Sequence, residues 1–244
     1  MRLLNLALKI YIHKRIMTLD VNRIQKNFEK LKQEVEKFSK DVKIVVVTKY
    51  IKDIEVIKKL AEIGVTDIAE NYAQDLVYKY HYLEKDGVNK NFNWHFIGHL
   101  QKNKVKKVVP ICELIQSVDS IELAKKIDFE AKKINKSQNC LIELKVSEEE
   151  TKFGIPKEEI FKFVEELNSL NLTNIKLVGL MTMAPYFDDP AKTRPYFKQA
   201  YEVFKFLQQK ITGFNILSMG MSNDYKIALE EGSNMLRIGS LLFS

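Results

Sequence analysis

Two cysteines in 244 residues, Cys112 and Cys140, stand far apart and offer no disulfide framework, which reads as a chain kept in a reducing cytoplasm. Long apolar runs are also missing. None approaches the roughly 20 residues that cross a bilayer as a helix, so no membrane span is expected. A domain linker, a low-complexity tract and an internal repeat are absent too. With 45% hydrophobic and 29% charged residues, the chain reads as one globular unit over residues 18–244. Positive charge is in surplus but only locally: residues 1–40 hold ten Lys/Arg against four Asp/Glu, and the remaining 204 hold 29 against 28. No basic face spreads over the molecule, and a nucleic-acid partner is not expected. The run QKNKVKK at 101–107 reads as a solvated helix face.

Residues 1–16, MRLLNLALKIYIHKRI, are apolar and basic. Lys9 breaks the run and no small-residue cleavage site follows, which argues against a secretory signal. Met17 stands just ahead of a well-patterned helix and reads as the true start, so that the stretch 1–17 up to it reads as an extension; an amphipathic membrane-surface helix is the competing reading. In the helix that follows, Val21, Ile24, Phe28, Leu31, Val35 and Phe38 alternate spacings of three and four and form one stripe. The stripe is too short for a coiled-coil seam and predicts a helix laid against the rest of the fold.

A regular alternation then begins. Strand-like runs occur near 43–48, 65–69, 92–97, 113–117, 139–146, 175–180, 214–218 and 234–238. Helical stretches separate them at 53–62, 71–84, 100–108, 120–134, 157–169, 191–211 and 222–231. Asp53, Asn71, Ser120 and Ser222 read as N-caps, and Gly64 and Gly232 as helix stops. Eight strands alternating with helices predict an α/β fold, a (β/α)8 TIM barrel with an extra N-terminal helix; an open doubly wound sheet is the competitor.

Barrel sites sit where strands end and the following loops begin. In KIVVVTKY (43–50) a buried apolar strand surfaces directly into Lys49. Desolvation favours the neutral amine of a lysine, and a neutral amine can attack a carbonyl to give a Schiff base. Lysines also end strands simply to reach water, so position alone assigns nothing. The last two strands add the partner signal. LSMGMSND (217–224) and LRIGS (236–240) supply hydroxyls, permissive backbone amides and a helix start, the ingredients of an anion site after the final strands of a barrel. Lys49 with such a site suggests a phosphorylated carbonyl compound, and pyridoxal phosphate has that shape. His95 and His99 are four apart, the spacing of a zinc-binding helix, but Gly98 and the strand-like 92–97 run oppose one helical face.

The segments VVVTK (45–49), IAENYAQDL (68–76), WHFIGHLQKNK (94–104), SVDS (117–120), TKFGI (151–155), VGLMTMAP (178–185), LSMGMSNDYKIAL (217–229) and GSNMLRIGSLLF (232–243) together resemble the pyridoxal phosphate homeostasis proteins, whose barrel is similar to the N-terminal domain of alanine racemase. The resemblance implies that Lys49 carries the cofactor as a Schiff base, that Ser218 and the amides around Gly239 and Ser240 hold the phosphate, and that Asn71 lines the ring. It sets Arg237 at the cofactor end of the last strand, where the racemase arginine faces the pyridine nitrogen. His95 and Lys152 fall on family motif positions without an assigned role, and His95 reads as a hydrogen-bonded histidine inside the barrel. Ala69 departs from a family glycine, and the chain stops at LLFS where a glycine and short tail are usual.

Arginine at the pyridine nitrogen weakens the ring as an electron sink, and racemisation needs proton donors on both faces of the substrate carbon. The racemase takes its second base, a tyrosine, from a C-terminal β domain that this sequence does not extend into. The expectation is a cytoplasmic, monomeric protein that buffers or delivers pyridoxal phosphate, with PLP-dependent apoenzymes as recipients; a PLP-dependent amino-acid racemase is the alternative.

Overall fold

The structure, a computed structural model, describes residues 20–147 and 153–244. The extension at 1–17 and Lys152 lie outside the described residues. Helix α1 (Val21–Glu36) starts at Asp20, whose carboxylate accepts from the Asn22 and Arg23 amides. Its stripe buries Ile24, Phe28, Leu31 and Val35, each of which contributes about 1.5–3 kcal/mol when fully removed from water. Phe38 falls past the helix end and is exposed, so the stripe is one residue shorter than the spacing predicts.

Strand β1 (Lys43–Val47) leads to α2 (Ile54–Glu62), β2 (Asp67–Glu70), α3 (Ala73–Glu84), β3 (Asn93–Phe96), α4 (Val105–Val108), β4 (Leu114–Val118), α5 (Ile121–Lys133) and β5 (Gln138–Lys145). Then follow β6 (Ile155–Pro156), α6 (Ile160–Ser169), β7 (Ile175–Thr182), α7 (Arg194–Gln208), β8 (Ile216–Ser218), α8 (Tyr225–Glu230), β9 (Met235–Ile238) and α9 (Ser240–Phe243). All pairings are parallel. The β4–β5 and β1–β9 pairs close eight strands into a barrel, and β6 adds a two-residue edge beside β5. That edge has no periodicity to read in sequence. The eight barrel strands are those the sequence predicts.

The four β-branched residues of β1 divide by the two-residue period of a strand. Val45 packs inside the barrel with Ala69, Leu114, Leu141, Met181 and Met235, while Val46 packs outward among the helices. Asp53 caps α2 through the Glu55 amide, and Gly64 and Gly232 follow α2 and α8 as stops. Asn71 and Ser222 do not cap: α3 begins after Tyr72, and α8 after Asp224. Helix α1 lies on α9, where Asn27 Nδ2 donates to the Leu242 carbonyl at 3.2 Å. Tyr225 Oη donates to Glu34 Oε2 at 2.6 Å and ties α8 to the same helix. The leading helix thus braces the segment that follows β9.

Candidate functional site

A cavity of about 890 Å3 opens where the barrel strands end. Lys49, Asn71, Arg237, Gly239 and Ser240 all line it, so five of the six sequence candidates meet at one space. Ser218 does not reach its wall.

Lys49 and Asn71 follow directly on two side chains locked behind the cavity. Thr48 and Glu70 are fully buried, and Thr48 Oγ1 donates to Glu70 Oε1. Lys79 reaches in from α3, donating to Glu70 Oε1 and, at 2.7 Å, to the Thr48 carbonyl. Burial holds the Glu70 carboxyl above its ordinary range, while Lys79 and Thr48 pull it back. The cluster pins the ends of β1 and β2 together. Gly98 presses the loop after β3 onto the same place: a Cβ there would sit 2.1 Å from the Asn71 carbonyl oxygen. Asn71 Oδ1 is buried, yet no group among the described residues satisfies it. A buried orphan acceptor beside a lysine is the mark of a site built to meet something else.

Arg237, inward-facing on β9, forms the floor. Its Nη1 donates to Ser218 Oγ and its Nη2 to the Thr182 carbonyl, both at 2.8 Å. Burial draws the guanidinium down to about 10, with Asp224 and Glu143 opposing, so it stays charged at neutral pH. Ser218 Oγ passes its own proton to Gln116 Oε1 at 2.7 Å, and Gln116 Nε2 donates to His95 Nδ1 at 2.9 Å. His95 Nε2 then donates to Asp67 Oδ1 at 3.0 Å. Burial alone would raise Asp67, but His95 and Thr66 bring it down to about 2. The barrel interior therefore carries one continuous polar chain from Arg237 to Asp67. Ser218 is a link in that chain, fully buried and bonded on both sides, and it steadies Arg237 where the sequence suggested a phosphate contact. His95 sits inside the barrel with both ring nitrogens satisfied.

Ser222, read from sequence as a helix cap within the hydroxyl-bearing stretch 217–224, is a site residue. Its Oγ lines the cavity and accepts from the Gly239 and Leu241 amides at 3.3 and 3.1 Å. Those amides converge on one oxygen, with Ser240 between them. An amine, an orphan amide oxygen, a buried guanidinium and converging amides fit a phosphorylated aldehyde with a heteroaromatic ring. Two further groups were missed. Glu143 lies on the inward face of β5 two residues after Leu141, so an acid at an inward position was there to be read. His99 lies at the cavity wall, where its Nδ1 meets Asp119 Oδ2 at 3.0 Å and its ring stacks on Phe153. The two histidines thus point to separate places. Among the described residues no group of three His, Cys, Asp or Glu side chains is gathered to hold a metal.

The family model described as alanine racemase, N-terminal domain, matches residues 19–244. A protein of Aquifex aeolicus named pyridoxal phosphate homeostasis protein is 41% identical over 193 residues, 78% of this chain and 81% of that one. The protein of the same name in Haemophilus influenzae is 35% identical over 227 residues, covering 92% and 93%. The solved structure of PipY from Synechococcus elongatus with PLP bound is similar at a TM-score of 0.81 and 28% identity, covering 91% of this chain and all of that chain. An alanine racemase of Clostridium difficile shares the fold at a TM-score of 0.70 and 21% identity, with 56% of its length covered.

Proposed function

Since the chain belongs to the alanine racemase N-terminal domain family, and within it to the pyridoxal phosphate homeostasis proteins, we propose that it binds pyridoxal phosphate and serves vitamin B6 homeostasis, holding the cofactor as a Schiff base on Lys49 without robust turnover. The observation that carries this reading is the convergence on one cavity of Lys49, Asn71 with its orphaned Oδ1, charged Arg237, Ser222, Gly239 and Ser240.

When bound, the cofactor supplies an aldehyde and an electron-accepting ring. Lys49 as the free amine would attack the aldehyde carbon, and one water would leave as the imine forms. Ser222 and Ser240, with the backbone around Gly239 and Ser240, would hold the phosphate, and the Gly239 and Leu241 amides would steady Ser222; Ser218, bonded on both sides inside the barrel, does not line the cavity. Asn71 would border the ring. Arg237 would face the ring nitrogen, and a fixed positive charge there opposes protonation of that nitrogen and weakens the ring as an electron sink. This favours storage and delivery over amino-acid chemistry, in line with the names of the relatives. PLP-dependent apoenzymes are the recipients in this reading, with the protein acting as a cytoplasmic monomer.

Gel filtration of the protein mixed with pyridoxal phosphate tests the reading. A yellow colour that travels with a monomer-sized peak is expected. Colourless protein, or amino-acid racemisation at rates typical of enzymes, about 1–1000 per second, would overturn it.

A further inference from the structure

We propose that His99 and Asp119 form a proton-transfer pair at the cavity, set to take the proton from an amine-bearing ligand that displaces Lys49 from the bound aldehyde. The proposal rests on the preceding reading of Lys49 and adds the group that governs exchange.

The two histidines of the motif at 94–104 make the contrast. His95 spends both ring nitrogens on structure, one toward Asp67 and one toward Gln116. His99 spends only one. Asp119, directly after β4, accepts from Nδ1 at 3.0 Å, which fixes the neutral ring with its proton on Nδ1 and its lone pair on Nε2. Nε2 has no partner among the described residues, and the ring lines the cavity.

The ring also stacks on an aromatic neighbour. Its centroid lies 3.9 Å from that of Phe153, with the planes 14° apart. Phe153 is held in turn by Gly154, at φ +116°, where a Cβ would meet the Glu143 carbonyl oxygen at 2.9 Å. The pairing of Ile155 with Leu144 secures the same segment. Gly98 fixes the backbone just before the histidine against Asn71. A carboxylate behind one nitrogen, a stacked ring and a second nitrogen without a partner among the described residues are the geometry of an oriented general base.

The other ionisable groups lining the cavity include Lys49, Lys104, Glu143 and Arg237. Glu143 on β5 is electrostatically coupled to Asp119, so the pair sits beside a second acid. The cavity volume is at the upper end of the about 300–1,000 Å3 common for ligand sites, which leaves room for an amine next to a bound ring.

The exchange balances as follows. With the imine nitrogen carrying one proton both before and after the exchange, the incoming ammonium gives up two protons, one to His99 Nε2 and one to Lys49 as the bond from carbon to Lys49 Nζ breaks. The incoming nitrogen bonds that carbon in its place. His99 returns its proton to Lys49, which leaves as an ammonium, and neither water nor electrons are consumed.

Two measurements test the pair. In cofactor-free protein, side-chain 15N NMR should find neutral His99 as the Nδ1–H tautomer, with that preference lost in Asp119→Ala. An Nε2–H tautomer in the unsubstituted protein would overturn the proposal whatever Lys49 does. In protein loaded with pyridoxal phosphate, ethanolamine should displace Lys49 about 10²–10⁴-fold more slowly, per loaded molecule, in His99→Gln, with a flattened pH profile and partial rescue by added imidazole. Exchange within twofold of the unsubstituted protein in loaded His99→Gln or Asp119→Ala would overturn the pair alone. Failure of the unsubstituted protein to load would instead overturn the Lys49 reading and leave the NMR result to decide the dyad.

Discussion

Glu143→Gln should stabilise the cofactor-free protein, and increasingly so as pH rises. Glu143 is 4% exposed on the inward face of β5 and has no hydrogen-bond partner among the described residues. Burial raises its carboxyl from the ordinary 4.5 to about 7, with Asp119 adding to the rise and Arg237 opposing it. A carboxyl whose folded value is raised contributes stability that is full below about pH 4.5 and is lost as pH climbs through about 7. At about 1.4 kcal/mol per pH unit, the separation corresponds to about 3 kcal/mol. Glutamine copies the shape of the neutral acid and cannot ionise. It should therefore match the parent at pH 4.5 and exceed it by about 3 kcal/mol at pH 8, or about 6–12 °C in melting temperature for a chain this long. Thermal unfolding followed by far-UV circular dichroism at both pH values measures the difference, and effects of other titrating groups cancel between the two proteins. A gap that stays constant or narrows toward pH 8 would refute the reasoning.

Lys79→Met should be among the most damaging single changes, costing about 3–5 kcal/mol in urea unfolding, because Glu70 would be left buried without its counter-charge; Glu70→Gln added to it should recover much of the loss. Gly98→Ala should weaken cofactor retention, since the new methyl group must move the Asn71 backbone from 2.1 Å; equilibrium dialysis should show the loss, and unchanged retention would contradict the close packing at that loop. Ser222→Ala should reduce affinity for pyridoxal phosphate roughly tenfold, the effect of one hydrogen bond to a charged group. Ser218→Ala should instead act through Arg237 and shift the absorbance of the bound ring.

Much of the barrel was legible because its strands are buried on both faces and read as compact apolar runs between helix-spaced segments. Lys49, Asn71, Gly239 and Ser240 were legible because each stands just past a strand end, while Arg237, inside β9, was placed by the family resemblance. What failed was local geometry carried by distant partners. Ser218 and Ser222 look alike in sequence and differ only in which way the chain turns after β8: one faces Gln116 and Arg237, the other the Gly239 amide. His99 could not be told from His95 because its partner, Asp119, lies twenty residues on. Glu70 and Lys79 meet only because α3 folds back over β2.

The central claim is the covalent bond at Lys49. Borohydride reduction of the yellow protein, followed by peptide mass mapping, should find one reduced pyridoxal phosphate on the peptide containing Lys49 and none in a folded Lys49→Ala protein. An adduct on any other lysine, or one that persists when Lys49 is replaced, would contradict the account.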